Sequence, residues 1–412
     1  MKGAGRFSER LLRWYRNSSR TGLPWRGIRD PYRIWVSETM LQQTQVSTVI
    51  PYYRRFLARF PTLRALSRAR LREVLETWSG LGYYHRAKNL HACARTLAAE
   101  HGGRLPQDPE NLRKLPGIGR YTAGAIASIA FDRPAPVLDG NVQRVLCRTL
   151  GIREDPRQPA VQRRLWDLAA RLVPEEAPGD FNQALMDLGA TVCTPRTPAC
   201  VRCPISSDCR ARRLGLQEKI PPPRVRPKRP VVDCLCGILQ RNGSVLIARR
   251  PESGLLPGLW EFPGGTRDPE SSDQETLERI LSDRLGLRVR AGRKVAQHTQ
   301  ILTHRELRIR AYLCRPERQK GSGTLVRAAG IACTKGARPL GLTPFYTEAR
   351  WVRLARLQKV SFTAGMREIA RLTPPIYPCE RKEAGAGNAE PPPGRRPGTA
   401  PWRRGWTGPP RR

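Results

Sequence analysis

The chain has 412 residues, with 74 Lys and Arg against 35 Asp and Glu, so its formal net charge is +39. That length accommodates two or three domains with their own cores, and a positive field of this size favours a polyanionic partner, most simply nucleic acid. No apolar run reaches membrane-spanning length and no secretory signal is recognisable, which argues against a membrane-spanning or disulfide-stapled secreted protein and for a reducing compartment.

In chain order, a first helix is expected over 7–15, and apolar residues then recur at three- and four-residue intervals over 41–57, 71–78, 90–97, 123–129 and 165–172, with Gly and Pro between the periods. The first 210 residues therefore read as all-α. Residues 216–230 are rich in Pro and lack apolar periodicity, the pattern of an extended linker. Short β-like runs follow at 231–239, 244–248, 288–296 and 307–314, interrupted by one helical stretch at 275–285, so an α+β domain is expected over 231–372. The remainder, 373–412, repeats Pro, Gly and Arg with few aliphatic residues, and disorder is expected there.

Four cysteines, Cys193, Cys200, Cys203 and Cys209, follow the spacing C-x6-C-x2-C-x5-C. Four thiolates this close can surround one metal centre, zinc or an iron–sulfur cluster. Structural zinc usually takes two tight knuckles, whereas here one tight pair stands between wider gaps, which favours a cubane cluster. Cys93 and Cys147 lie in apolar periodic stretches and read as core.

Three further segments carry chemistry. Leu115-Pro-Gly-Ile-Gly-Arg-Tyr sets Gly117 and Gly119 in a tight turn before a helix, where positive φ would let backbone N–H groups approach an anion at the helix N-terminus. The expectation is a helix-hairpin-helix phosphate clamp. Val137-Leu-Asp-Gly-Asn places Asp139 at the start of another helix, where in isolation it would read as an N-cap. Trp35-Val-Ser-Glu-Thr-Met-Leu-Gln-Gln embeds Glu38 among apolar and amide side chains; desolvation there disfavours the charged form and lets the carboxyl keep a proton near neutral pH, as a general acid needs.

These segments, with GLGYYHRAKNL at 80–90 and FNQALMDLGA at 181–190, resemble the MutY-type adenine DNA glycosylases of the endonuclease III superfamily. The resemblance implies a multidomain fold: an all-α helix-hairpin-helix glycosylase domain at 1–215 with a [4Fe–4S] loop at 193–209, the linker at 216–230, an α+β Nudix-like 8-oxoguanine recognition domain at 231–372, and the tail at 373–412. The implied activity is base excision repair of double-stranded DNA: adenine mispaired with 8-oxoguanine or guanine is excised, leaving an abasic site. By the same resemblance Glu38 protonates adenine, Asp139 stabilises the oxocarbenium-like sugar, and Tyr121 and Asn141 complete the pocket. Gln43 and Tyr83 match positions that enter the duplex, Gln42 is a further DNA-binding residue, and Gly117, Gly119 and Arg196 meet the DNA backbone. Relatives that also cut the strand carry Lys where this chain has Tyr121, so a monofunctional enzyme is expected, without a Schiff base.

The segment Gly258-Leu-Trp-Glu-Phe-Pro-Gly-Gly resembles the entry to a Nudix fold, but Ile280 and Arg284 stand where magnesium-binding glutamates belong, so diphosphohydrolase activity is not expected. His298-Thr-Gln-Ile-Leu-Thr-His matches the family's 8-oxoguanine reader, with Thr303 and His304 as the contacts and Leu302 in place of the usual aromatic. A monomeric, bacterial cytoplasmic, nucleoid-associated enzyme is the resulting expectation, with no membrane association and no motif for a sliding clamp. A pyrimidine-lesion glycosylase on the same scaffold and a non-catalytic DNA-coating protein are the competing readings; the reader motif weighs against the first, Glu38 and Asp139 against the second.

Overall fold

A computed structural model describes residues 4–18, 20, 22–223, 229–251, 258–302, 304–317, 345–360 and 362–373. Thr303, linker residues 224–228 and the tail from 374 onward lie outside the described residues.

Twelve described helices precede the linker: α1 (Ala4–Ser18), α2 (Pro31–Leu41), α3 (Val46–Arg59), α4 (Leu63–Arg68), α5 (Leu71–Trp78), α6 (Tyr84–Glu100), α7 (Pro109–Arg113), α8 (Arg120–Phe131), α9 (Gly140–Leu150), α10 (Pro159–Leu172), α11 (Pro178–Thr191) and α12 (Arg210–Arg213). Local chemistry sets their starts. Asp30 caps α2 by accepting from the Tyr32 and Arg33 N–H groups, with Pro31 in the first turn, and Thr62, Asp108 and Asp139 cap α4, α7 and α9. The apolar repeat over 41–57 does not form one helix. It is split by a turn between Leu41 and Val46, where Gln43 takes φ of 57°.

These helices share one core, in which Leu11, Trp35, Phe56, Trp78 and Phe181 are buried. Cys93 and Cys147 belong to it. Helix α2 is buried from Tyr32 to Met40 apart from one residue, and its hydroxyls are satisfied internally: Ser37 donates to the Ile34 carbonyl and Thr39 to that of Trp35, each at 2.8 Å. Glu38 is the one carboxyl group in that buried run.

Beyond the linker come β1 (Val231–Arg241), β2 (Ser244–Arg249), β3 (Trp260–Glu261), β4 (Gly264–Thr266), α13 (Asp273–Leu285), β5 (Val289–Ile301), β6 (Glu306–Pro316), β7 (Glu348–Arg353) and α14 (Ala364–Leu372). The strand order is β3-β2-β1-β6-β5, with β4 paired to β1 and β7 to β2. β1 and β6 run parallel, and β1–β2 is a hairpin turned by Asn242 and Gly243, both at positive φ. Leu277, Leu281 and Leu285 of α13 cover one face, and Met366 and Ile369 of α14 the other. The chain is thus an all-α assembly followed by a mixed-sheet α+β one, the expected fold class. No helix among the described residues is long and apolar enough to cross a membrane.

Candidate active site

A cavity of about 800 Å³ opens in the helical assembly, walled by α2, the turn after it, the hairpin before α8, the start of α9 and one side of α11. Glu38, Gln42, Gln43, Gly117, Gly119, Tyr121, Asp139 and Asn141 all line it. Segments far apart in sequence therefore converge on one space.

Glu38 is 6% exposed. Burial pushes its carboxyl above the ordinary range and the Asp139 charge adds to this, while the Tyr121 hydroxyl, which donates to Glu38 Oε2 at 2.8 Å, and the Arg26 charge oppose it. Tyr121 is held well above its usual value by burial and by both carboxylates, so its hydroxyl remains a donor. Asp139 is N-cap and cavity residue at once. Its Oδ1 accepts from the Val142 N–H at 2.7 Å and its Oδ2 from Asn141 Nδ2 at 3.0 Å, so the capping geometry fixes the carboxylate. Burial pushes Asp139 upward too, against the Val142 and Asn141 donors and the Arg144 charge. Two carboxyls facing one cavity compete for a proton. Asp139 has the richer set of donors, which favours its charged form over that of Glu38.

Gly117 takes φ of +76° as expected, and a Cβ there would stand 2.5 Å from that of Asn89. Gly119 does not: at φ −85° it is the extended N-cap of α8, and a Cβ there would meet nothing within 4 Å. Gln43 and Tyr83, at φ 57° and 48°, are two of the non-glycine residues at positive φ, which is unusual without glycine. Gln42 is tethered by Nε2 to Thr122 Oγ1 at 3.2 Å, whereas Gln43 is exposed.

Sequence inspection overlooked the opposite wall, where Trp25, Arg26, Gln183 and Met186 also line the cavity. Arg26 is fixed by the Asp187 carboxylate, which accepts from it at 2.7 Å and from Arg20 at 2.6 Å, and by donation to Gln183. The spacing of Gln183, Met186 and Asp187 on one helix turn was the available signal; Arg26, in a loop without periodicity, gave none.

Residues 36–171 match the HhH-GPD superfamily of base excision DNA repair proteins, and residues 234–372 match the NUDIX domain. Adenine DNA glycosylase of the rat is 45% identical over 320 residues, 65% of this chain and 62% of the relative. Adenine DNA glycosylase of Buchnera aphidicola subsp. Schizaphis graminum is 43% identical over 261 residues, 62% of this chain and 74% of the relative. The chain belongs to the adenine DNA glycosylase family. It spans about 62% of the length of the rat family member. Among solved structures, a thermostable thymine-DNA glycosylase is 31% identical with a TM-score of 0.47, covering 52% of this chain and 98% of its own.

The adenine DNA glycosylase family also frames the cysteine loop. All four thiols are free, and burial together with the other three pushes Cys203 up to about 12. Arg148 staples the loop to α9, donating to the carbonyls of Thr194 at 2.7 Å, Pro195 at 2.9 Å and Ile220 at 2.8 Å and to Cys193 Sγ at 3.3 Å. Among the described residues no three His, Cys, Asp or Glu side chains stand at metal-holding spacing. The donor set, four neighbouring thiols, nevertheless suits an iron–sulfur cluster. Arg196 and Arg202 are exposed on this loop.

In the family's second domain, the Leu302 N–H donates to the Arg305 carbonyl at 2.9 Å, closing the turn between β5 and β6. His304 is exposed on that turn and Leu302 packs against the sheet core. Arg284 donates to the Gly264 carbonyl at 2.8 Å, and it and Ile280 pack against Gly265. A cation and an alkyl chain thus fill the space beside the glycine loop.

Proposed function

We propose that the protein is a monofunctional adenine DNA glycosylase of base excision repair, hydrolysing the N-glycosidic bond of adenine opposite 8-oxoguanine or guanine in double-stranded DNA. The observation that carries this reading is the shared cavity, with a buried Glu38, whose carboxyl burial pushes above its ordinary range, facing a hydrogen-bonded Asp139. Glu38 protonates the extruded adenine so that it leaves neutral, a contribution of roughly 10²–10⁴-fold. The Asp139 carboxylate, aimed by Val142 and Asn141, offsets the positive charge that develops on the sugar. Tyr121 orients Glu38 and, lacking an amine, forms no Schiff base.

Gln43 and Tyr83, both at positive φ, enter the duplex where the base has been extruded, a step costing a few kcal/mol, and Gln42 contacts the DNA beside them. Gly117 and Gly119 at the mouth of α8, with Arg196 and Arg202, meet phosphates. His304, with Thr303, reads 8-oxoguanine from the β5–β6 turn. Arg284 and Ile280 leave no carboxylate cage for magnesium, which supports a reader rather than a hydrolase in the second domain. Cys193, Cys200, Cys203 and Cys209 would hold a [4Fe–4S] cluster, whose contribution is to fix the loop that carries Arg196. We further place the domain division at 216–230 and the protein in the bacterial cytoplasm, as a monomer on DNA.

Single-turnover release of adenine from a duplex with one adenine opposite 8-oxoguanine, developed with alkali, tests the reading. Alkali-dependent breaks with the parent and none with Glu38→Gln are expected. Tight binding without base loss in both proteins overturns it.

A further inference from the structure

The two assemblies touch at the loop that leads into Tyr83. Arg367 of α14 donates from Nη2 to Ser79 Oγ at 2.8 Å, and Ser79 is buried. The next residue, Gly80, has φ of +99°, and a side chain there would collide with the Tyr52 hydroxyl and meet the Arg367 guanidinium at 3.1 Å. Only glycine allows that approach. The Gly82 carbonyl then accepts from Trp78 Nε1 at 3.0 Å and from Arg86 at 3.3 Å before Tyr83 takes its left-handed conformation. At the start of α14, the Gly365 N–H donates to Gln300 Oε1 at 3.0 Å. Gln300 belongs to β5 and lies two residues before Leu302, where the β5–β6 turn begins. Met366 and Ile369 bury the apolar side of α14 in the sheet core, so the helix moves with the sheet.

We propose that α14 is a strut through which the β5–β6 turn sets the Tyr83 loop, and that Arg367 is a positioning residue for discriminating 8-oxoguanine from guanine. The proposal rests on reading that turn as the contact to the oxidised base. Arg367 lines no part of the catalytic cavity. Beside Leu259, which packs into the helical core, its bond to Ser79 is a second fixed point, joining a loop that enters the duplex to a sheet that holds the reader. With both contacts in place, a base held by the turn and a ring held by the duplex must satisfy one geometry. Severing Arg367 from Ser79 frees the Tyr83 loop from α14 while Leu259 keeps the assemblies in contact, and binding loses its preference while the catalytic groups stay in place.

The test is equilibrium binding of the parent, Arg367→Met, Ser79→Ala and the double variant to duplexes carrying a non-cleavable 2′-fluoro-adenosine opposite 8-oxoguanine or guanine. Melting temperatures and single-turnover excision on the cleavable duplexes accompany it. Each single variant should narrow the preference for 8-oxoguanine about fivefold, the double variant no further, as for one shared contact, and Arg367→Lys should recover part of it. A parent that discriminates alongside an Arg367→Met that discriminates equally overturns the coupling alone. Additive losses, or equal losses on both duplexes, do the same. A parent that does not discriminate overturns the reader and the strut together, whereas absent excision with intact discrimination removes the glycosylase reading and leaves the strut standing.

Discussion

Arg86→Met tests how the turn after α2 and the loop before α6 are held. Arg86 is 3% exposed. Its Nη1 donates to the carbonyls of Thr39 at 3.1 Å, Met40 at 2.7 Å and Gln42 at 2.5 Å, and its Nη2 to Thr44 Oγ1 at 3.0 Å and the Gly82 carbonyl at 3.3 Å. The guanidinium also stacks 5.0 Å from the Tyr83 ring centre and 5.5 Å from that of Trp78. Thr39 and Met40 end α2 and Gln42 is its C-cap, so the cation satisfies carbonyls the helix leaves orphaned and meets its negative end. Methionine keeps the stem and removes every donor. Each carbonyl left buried and unpaired costs roughly 1–3 kcal/mol. Burial already disfavours the cation, lowering Arg86 to about 10, so the net loss is smaller than the sum, about 2–5 kcal/mol. At roughly 2–4 °C per kcal/mol, Tm should drop by about 4–20 °C. Urea unfolding followed by circular dichroism gives the first quantity. Single-turnover excision at saturating protein should fall at least about tenfold, or 1.4 kcal/mol, because Gln42 and Tyr83 hang on the same group. A loss below about 1 kcal/mol with excision intact would refute the reasoning.

Asp139→Asn should retain the fold, since Asn caps helices about as well as Asp, yet lose about 10²-fold or more of excision with the charge; a melt unchanged beside full activity would show that the carboxylate's charge is unused. Glu38→Gln should abolish excision and also alter the pH dependence of stability. Burial raises Glu38, so the folded state holds a proton that the unfolded chain has already released. Stability from this group is complete below the unfolded carboxyl's value and is lost as pH rises through the folded one. Excision should decline on the same alkaline limb. The melting temperature of the parent minus that of Glu38→Gln should therefore fall with rising pH, and a flat difference would count against a raised Glu38. Arg148→Met strips the 2%-exposed staple from the cysteine loop, and limited proteolysis should then nick the 193–209 segment faster and iron per chain should drop; unchanged protection on both readouts would show that the cysteines hold the loop unaided.

Glu38 and Asp139 were legible as candidates because each sits in a segment with its own chemistry: a carboxylate inside an apolar helix, and an Asp–Gly–Asn start that caps one. The N-cap and cavity readings of Asp139 looked like alternatives in the sequence and are one arrangement in space. Gly119 was misjudged because two glycines in a turn look alike until backbone angles separate them. The break between α2 and α3 was hidden because the apolar residues on both sides keep a helical interval, while the interruption lies in the conformation of Gln43. Helices α4 and α7, and strands β3 and β4, are too short to show a period.

Composition and local pattern by themselves determined the charge, the α then α+β order, the helix caps and the cysteine quartet, because each depends on neighbours within a few turns of chain. What tertiary structure decided is whatever depends on partners distant in sequence. Only the packed helices make Glu38 buried and set Tyr121 against it. Only the fold brings Arg86 to the end of α2, Arg148 to the cysteine loop and Arg367 to Ser79. An arginine has no periodic signature of its own; its role is fixed by the carbonyls and hydroxyls that folding places around it.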